Sequence, residues 1–236
     1  MKLNYYSYTN QGGRAHNEDS IKVVCSEGKG TFVLADGLGG HDCGEVASAI
    51  AVDVIAGNTE CEEKEELKSL FEEANKQILE QQSTLEHEKM KTTAVALRID
   101  RTQAEWAHIG DSRLYYFSGD ELQRVTKDHS VSYMKYLGGE ISYMDVYHDD
   151  DRSSLLRVLG KEKCTIDTDS VELKSGDSFL LCSDGFWEYV YNEEILIDWL
   201  KADNPKEWIN YMLLRHIQRT PENNDNFSVI AVCVEE

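Results

Sequence analysis

Short apolar runs bounded by Gly, Asp and Asn recur along the chain and set the expectation of a strand-rich fold. Residues 21–25, 31–35, 93–99, 105–109, 113–117, 178–182 and 227–234 are rich in Val, Ile, Phe, Tyr and Thr, which predicts strands. In 93–99 the larger apolar side chains alternate as Val95, Leu97 and Ile99, the pattern of a strand with one buried face. Residues 32–35 and 179–182 are apolar without interruption and predict deeper burial. A different period follows the second strand. Residues 45–56 carry Val46, Ala47, Ile50, Ala51 and Val54 on one helical face, and residues 62–82 place Leu67, Leu70, Phe71, Ala74 and Ile78 at spacings of three and four. The acidic run 60–66 opens that second helix, where negative charge complements the helix N-terminus and is solvated. A third helix is expected over 205–218, with Pro205 at its first turn. Strands, a helix pair, more strands, then helix and strand describe an α+β chain, with helices packed on two antiparallel sheets rather than a parallel wound sheet.

Composition narrows the class. The chain has 236 residues, 41% of them hydrophobic, enough to bury a core as one domain over 1–236. No Gly/Ser-rich linker or internal repeat interrupts it. Its formal net charge of −20 argues against nucleic acid and against an anionic membrane surface, both of which reward Lys and Arg. No stretch approaches the roughly 20 apolar residues of a membrane span. The opening residues lack the apolar run of a signal peptide, so a cytoplasmic protein is expected, with a monomer as the default state. The six cysteines form no Cys-x-x-Cys pair, and none is followed six positions later by Arg, which removes zinc knuckles and cysteine-based phosphatase chemistry.

The carboxylates of interest stand where apolar strands end. Residues 32–41 run from a buried strand through Asp36 and Gly37 into a glycine-rich turn, and Ser183-Asp184-Gly185 repeats the arrangement. Gly110-Asp111-Ser112 is a third case, and Asp225-Asn226 precedes the last strand. A strand end holds the Asp backbone rigidly, and an adjacent glycine lets another group approach the main chain closely. Each Asp-Gly alone reads as a turn. Were several ionised carboxylates to share one pocket, cations would have to offset their repulsion, and all-oxygen ligation selects hard ions such as Mg²⁺ or Mn²⁺ over zinc.

The ordered set is more specific than any member. Arg14-Ala-His-Asn17-Glu18-Asp19 comes first, then Asp36-Gly37-Leu-Gly-Gly-His41 with Gly44-Glu45-Val-Ala-Ser48, Thr92-Thr93 and Gly110-Asp111-Ser112-Arg113. Thr126-Lys-Asp128-His129-Ser130, Leu156-Arg157-Val-Leu-Gly160, Cys182-Ser-Asp184-Gly185-Phe-Trp187-Glu188 and Asp225-Asn226-Phe-Ser228 complete it. From about residue 8 onward, this series resembles the PPM-type metal-dependent serine/threonine protein phosphatases (the protein phosphatase 2C family) in their compact bacterial form. The resemblance implies a β-sandwich of two antiparallel sheets flanked by pairs of antiparallel helices, with a metal centre at one end. It implies that Asp36 bridges two Mn²⁺ or Mg²⁺ ions, that the Gly37 carbonyl joins the first, and that Asp184 and Asp225 hold the second. Glu18 and Asp19 match residues that hold metal ions through water. Asp111, with Asp184, matches the pair for a third, weaker ion. Arg14 matches the arginine that grips the substrate phosphate, a use suited to a planar bidentate donor. Asn226 is expected to orient Asp225 from behind.

The chemistry that follows is hydrolysis of phosphoserine and phosphothreonine by direct in-line attack of a bridging hydroxide on phosphorus. Two divalent ions about 4 Å apart make such a hydroxide at neutral pH, and the ions and Arg14 offset phosphoryl charge. No phospho-enzyme is required. The position directly after Asp36-Gly37, where some relatives carry a histidine, is Leu38. His41 is not expected to be the acid, and a metal-bound water is preferred as the proton donor. The partners implied are phosphoproteins, with a cognate Ser/Thr kinase and its substrates. The residual surface acidity disfavours highly acidic substrates.

Residues 138–157, with Asp149-Asp150-Asp151, match the family's flap beside the active site. Asp128-His129-Ser130 is expected to cap a helix, Trp187 to be core or groove wall, and Arg113 and Ser112 to support the Asp111 turn. Asp167-Thr-Asp169-Ser-Val171 superficially fits the nucleophile signature of haloacid-dehalogenase-type phosphatases but follows no apolar strand, and residues 37–42 lack the final small residue of a dinucleotide loop. The rival from another class is a non-catalytic binding or scaffold protein of the same fold, which would have lost metal carboxylates that this chain retains.

Overall fold

A computed structural model describes residues 1–39, 43–57, 65–85 and 90–235. The elements are β1 (Lys2–Asn10), β2 (Asp19–Ser26), β3 (Lys29–Leu38), α1 (Gly44–Ala56), α2 (Leu67–Leu85), β4 (Lys91–Thr92), β5 (Ala94–Asp100), β6 (Gln103–Ile109), β7 (Arg113–Ser118) and β8 (Glu121–Val125). After them come α3 (Val131–Leu137), β9 (Asp167–Glu172), β10 (Ser178–Cys182), α4 (Asp184–Trp187), α5 (Asn192–Lys201), α6 (Pro205–Arg219) and β11 (Phe227–Glu235). One antiparallel sheet has the order β1-β11-β10-β7-β8 and the other β2-β3-β5-β6-β9, with β4 paired to β3.

The two sheets face each other across a core of Phe32, Leu34, Val95, Leu97, Phe179, Leu181 and Ile230. The opposite faces are also buried, each under helices. Ala47, Ala51 and Ile55 of α1 and Phe71, Ala74 and Ile78 of α2 cover Val33, Ala35, Ala94 and Ala96. Ile195 of α5 and Trp208, Ile209 and Met212 of α6 cover Tyr115, Phe117, Leu180 and Val229. Four layers result, and they explain the uninterrupted apolar runs: Phe32 to Ala35 and Phe179 to Cys182 are fully buried because both sides of each strand are covered. The expectation of one buried face for residues 93–99 is corrected here. Ala94 and Ala96 are as buried as Val95 and Leu97, and their small side chains let α1 and α2 approach the sheet.

In α1 the expected face is corrected: Ala47, Ser48, Ala51, Val52 and Ile55 are buried, while Val46, Ile50 and Val54 are only partly buried beside them. In α2 the expected face holds. The face Leu67, Leu70, Phe71, Ala74 and Ile78 is buried. The helix begins at Leu67, however, with Glu65 and Glu66 preceding it, and positions 62–64 lie outside the described residues. In α6 the Asn204 side chain accepts a hydrogen bond from the Glu207 N–H at 3.0 Å, and Pro205 opens the first turn. Strands β1, β4, β8 and β9 and helices α4 and α5 add to the elements expected from the pattern, and α3 follows the cap expected at 128–130.

A buried ion pair ties the end of β7 to the segment before α3. Arg113 Nε and Nη2 donate to Asp128 Oδ1 and Oδ2 at 2.9 and 2.7 Å, and both side chains are about 1% exposed. The guanidinium also lies over the Trp187 ring, 3.5 Å from its centroid. Asp128 therefore pairs with Arg113 instead of capping α3, and Ser130 takes the cap, accepting from the Tyr133 N–H at 3.3 Å. Removing one partner of such a pair strands a buried charge. Asp128→Ala is expected to cost about 3–5 kcal/mol of unfolding free energy, measured by urea denaturation, whereas replacing the surface partner Asp53 of Lys22 is expected to cost less than about 1 kcal/mol.

Candidate active site

The strand ends named above meet at one end of the sandwich. Asp19, the first residue of β2, stands opposite Asp36 of β3 in register. Asp111 lies in the connection from β6 to β7, which passes from one sheet to the other. Asp184 opens α4 directly after β10, and Asp225 precedes β11. Arg14, Glu18, Asp36, Gly37, Asp111, Asp184, Asp225 and Asn226 line a single cavity of about 620 Å³, with Ser153 and Leu155 closing one side.

Backbone clamps hold each carboxylate. Thr92 Oγ1 and Thr93 N–H both donate to the Asp36 carbonyl, at 2.8 and 2.9 Å, and the Asp36 N–H donates to Thr93 Oγ1 at 3.1 Å. Thr93 Oγ1 in turn meets Ser112 Oγ at 2.8 Å, which joins the Asp36 and Asp111 turns. Ser48 Oγ and the Gly37 N–H donate to the Glu18 carbonyl at 2.6 and 3.2 Å. Only glycine fits at position 37, where a Cβ would lie 2.3 Å from the Gly44 carbonyl oxygen. Trp187 Nε1 donates to the Asp111 carbonyl at 2.9 Å. On the other sheet the buried His216 ring meets the Gly185 carbonyl at 2.7 Å, fixing the turn after Asp184.

Asn226 differs in detail from its expected use. Its backbone N–H donates to Asp225 Oδ1 at 2.8 Å, but its side chain works on the segment 11–18. Nδ2 donates to the Gln11 and His16 carbonyls at 2.8 and 2.9 Å, and Oδ1 accepts from the Glu18 N–H at 2.8 Å. That one amide therefore places the loop that carries both Arg14 and Glu18. Arg14 reaches back across the cavity mouth, where Nη2 donates to Asp225 Oδ2 at 2.9 Å, with its side chain 56% exposed.

The carboxylates repel one another. Burial, then Asp184, Asp19 and Asp111, push Asp36 well above the usual carboxylate range. Asp111 is raised likewise by burial and then by Asp184. Asp184 is raised by burial and by Asp225, though a hydrogen bond from Asp36 opposes the shift. Asp19 rises to about 7, chiefly through burial, although Ser183 Oγ donates to its Oδ2 at 2.9 Å. Its Oδ1 is buried without a hydrogen-bond partner. An orphaned carboxylate oxygen, an all-oxygen donor set and mutual repulsion fit hard divalent cations and do not fit an isolated protein cavity.

Glu188 is a member that sequence reasoning quoted but left without a role. It ends the short helix that Asp184 begins, and burial followed by Asp184 raises it to about 7. Arg152 Nε, from the expected flap, donates to its Oε1 at 2.7 Å. The available signal was spacing: positions four apart on a helix share a face. His41, excluded above as the acid, lies outside the described residues.

The Protein phosphatase 2C family model matches residues 9–203. The chain belongs to the protein phosphatase 2C family. It is 37% identical over 193 residues to the serine/threonine phosphatase stp of Listeria innocua, covering 77% of each chain. Its fold superposes on the Mycobacterium tuberculosis serine/threonine phosphatase PstP/Ppp with a TM-score of 0.89 and 29% identity over the whole of both chains. A structure of the PstP catalytic domain in complex with two manganese ions matches with a TM-score of 0.86 and 28% identity, covering 99% of each chain. The family expectation and the two-sheet fold are thereby borne out, and this phosphatase is metal-dependent.

A carboxylate with a raised folded pKa stabilises the fold in its protonated form. For Asp19 that contribution is full below 3.8, its value in an unfolded chain, and is lost as pH rises through about 7. In chelator, the melting temperature of the wild-type phosphatase is therefore expected to fall between pH 5 and 8 relative to that of Asp19→Asn. Added Mn²⁺ is expected to remove the difference. Parallel melting curves for the two proteins across that range in scanning calorimetry would exclude Asp19 as a contributor.

Proposed function

We propose that this protein phosphatase 2C member hydrolyses phosphoserine and phosphothreonine in proteins at a binuclear Mn²⁺ or Mg²⁺ centre. The observation that carries the reading is the convergence of Asp36, Asp111, Asp184 and Asp225, from both sheets, on one cavity with Arg14 at its rim. Asp36 and the Gly37 carbonyl would hold the first ion, Asp36, Asp184 and Asp225 the second, and Asp111 with Asp184 a third, weaker one. Glu18 and Asp19 would act through water. Bound there, the ions supply Lewis acidity, which makes water nucleophilic at neutral pH and offsets phosphoryl charge.

The chain's own groups do the rest. Thr92, Thr93, Ser112 and Ser48 fix the carboxylates before any ion arrives, so little reorganisation accompanies loading. Arg14 is the one Lys or Arg among the described residues lining the cavity. Its planar fork suits two phosphoryl oxygens, and the Asn226 clamp on segment 11–18 sets its reach. The buried thiol of Cys182 is pushed far above its ordinary value by burial, and no covalent step through it is needed. Residues 138–157 act as a flap over one side, with Arg152 meeting Glu188 at its base. Phosphoproteins, including a cognate Ser/Thr kinase and its targets, are the substrates proposed. The setting is cytoplasmic and the working form a monomer. Among the described residues, no helix is long and apolar enough to cross a membrane.

The test is turnover of p-nitrophenyl phosphate and a phosphothreonine peptide with Mn²⁺ against chelator. Wild type is expected to require Mn²⁺, and Asp36→Asn or Asp225→Asn to lose at least about a hundredfold in kcat. Turnover that is independent of metal, or undiminished from wild type in both variants, would sink the reading. Arg14→Ala is expected to raise KM about tenfold for both substrates, read from initial rates. His41→Ala is expected to keep most of its turnover on the phosphopeptide. Loss of that turnover with metal binding intact would make His41 the acid.

A further inference from the structure

One buried histidine is claimed neither by the acidic cavity nor by a helix cap. The ring of His129 is 7% exposed and stacks on His108 with centroids 4.8 Å apart. Its Nε2 lies 3.3 Å from Asp167 Oδ2 and 3.3 Å from Arg157 Nη1. Arg157 Nη1 also donates to Asp167 Oδ1 at 3.0 Å. His108, His129 and Asp167 together have the donor chemistry of a transition-metal site. The hydrogen bonds point elsewhere. The Gly110 N–H donates to His129 Nδ1 at 3.1 Å, so the ring proton sits on Nε2, the atom that a metal would need bare. Burial, with His108 as the next cause, holds the ring pKa near about 4, so the neutral tautomer stands. Nε2–H faces Asp167, and His108 Nε2 is engaged with the Lys127 carbonyl at 3.0 Å.

The consequence is a grip on the main chain. The His129 backbone N–H donates to the Gly110 carbonyl at 2.9 Å, so residue 129 holds both polar backbone groups of Gly110, the neighbour of Asp111. Gly110 has φ +101°, and a Cβ there would lie 2.6 Å from Thr93, so no side chain can be added to steady this turn from within. On its other side the His129 carbonyl accepts from the Leu156 N–H at 2.8 Å. Ser130 bridges Leu155, and the Val131 N–H donates to the Ser154 carbonyl at 2.9 Å. Ser153 and Leu155, on that returning limb of the flap, line the acidic cavity.

We propose that His129 is a positioning residue that clamps the Asp111 turn to the returning limb of the flap. The reach of Asp111 into the cavity and the seat of Leu155 beside it are set by the same residue, the first through its ring and main chain and the second through its main chain. This rests on the reading of Asp111 as a carboxylate of the weakest ion.

Two conservative variants separate the bonds. Asn at 129 keeps an oxygen where Nδ1 accepts from Gly110, while Gln keeps an amide near Asp167 but offers no acceptor to Gly110. In metal-free protein, His129→Gln is expected to speed hydrogen exchange about tenfold at the Gly110 and Leu156 amides. By calorimetry it is expected to weaken the loosest Mn²⁺ about tenfold. His129→Asn should stay within about threefold of wild type in both measurements. Equal behaviour of the two variants, or no change in His129→Gln, would overturn the proposal. So would a stoichiometric zinc ion lost in Asp167→Ala, because zinc needs the Nε2 lone pair. Hydrogen exchange is read without metal or substrate, so failure of the phosphatase reading, seen as absent Mn²⁺-dependent turnover in wild type, is a separate outcome.

Discussion

Mutual repulsion among carboxylates is the constraint around which this molecule is organised. Asp19, Asp36 and Asp111 are each desolvated and each raised by Asp184, which is itself desolvated and raised by Asp225. Left to itself, such a group would spread apart or take up protons. It is held together because every member is anchored through its main chain to a strand end or a strand-to-helix junction. The four-layer body supplies the stiffness, with both faces of β3 and β10 buried. Part of the stability of that body is therefore spent on a cluster that becomes favourable only when cations arrive.

The means of holding the cluster are consistent across both sheets. Hydroxyls of Ser48, Thr92, Thr93 and Ser183, the Asn226 amide and the Trp187 indole all bond to backbone groups or carboxylates within the site's own turns. Two buried histidines, His129 and His216, do the same for the glycines beside Asp111 and Asp184. Neutral imidazole suits this use, since it bonds to main chain without adding charge to a place already crowded with it. Arg113 is a deeply buried cation, and it is neutralised by Asp128 rather than offered to the cavity.

Most of the site was legible because each carboxylate stands in a short, chemically distinctive string at a strand end. What was not legible depends on contacts distant in sequence. Asn226 reads as a neighbour of Asp225, yet its side chain serves a loop more than two hundred positions away. Glu188 was visible in the sequence, but its burial against Asp184 and Arg152 was not. In the fold, the strands that escaped the apolar pattern are the two-residue β4 and the longer β1, β8 and β9, the last three at sheet edges. Edge strands carry polar residues because one side meets solvent and because hydrophobic edges invite aggregation. Asp167 and Asp169, which mimic another phosphatase signature, are residues of such an edge, paired with Arg157 and Arg124. The error over residues 93–99 has the opposite cause: alanine is too small to register as apolar in a periodicity, although it is what allows a helix to lie close.

The pairing of β1 with β11 reaches beyond the architecture of one sheet. The first strand takes its whole register, from Lys2 opposite Glu235 to Asn10 opposite Phe227, from the last. Segment 11–18 is then fastened by Asn226. During synthesis, β1 must wait unpaired while every intervening element is made, and Arg14 and Glu18 acquire their positions only once β11 has emerged from the ribosome. Contacts so distant in sequence form late and make folding slow. The phosphate grip and the Glu18 loop are therefore the last parts of the site to be placed, after the messenger has been read to the end of the last strand.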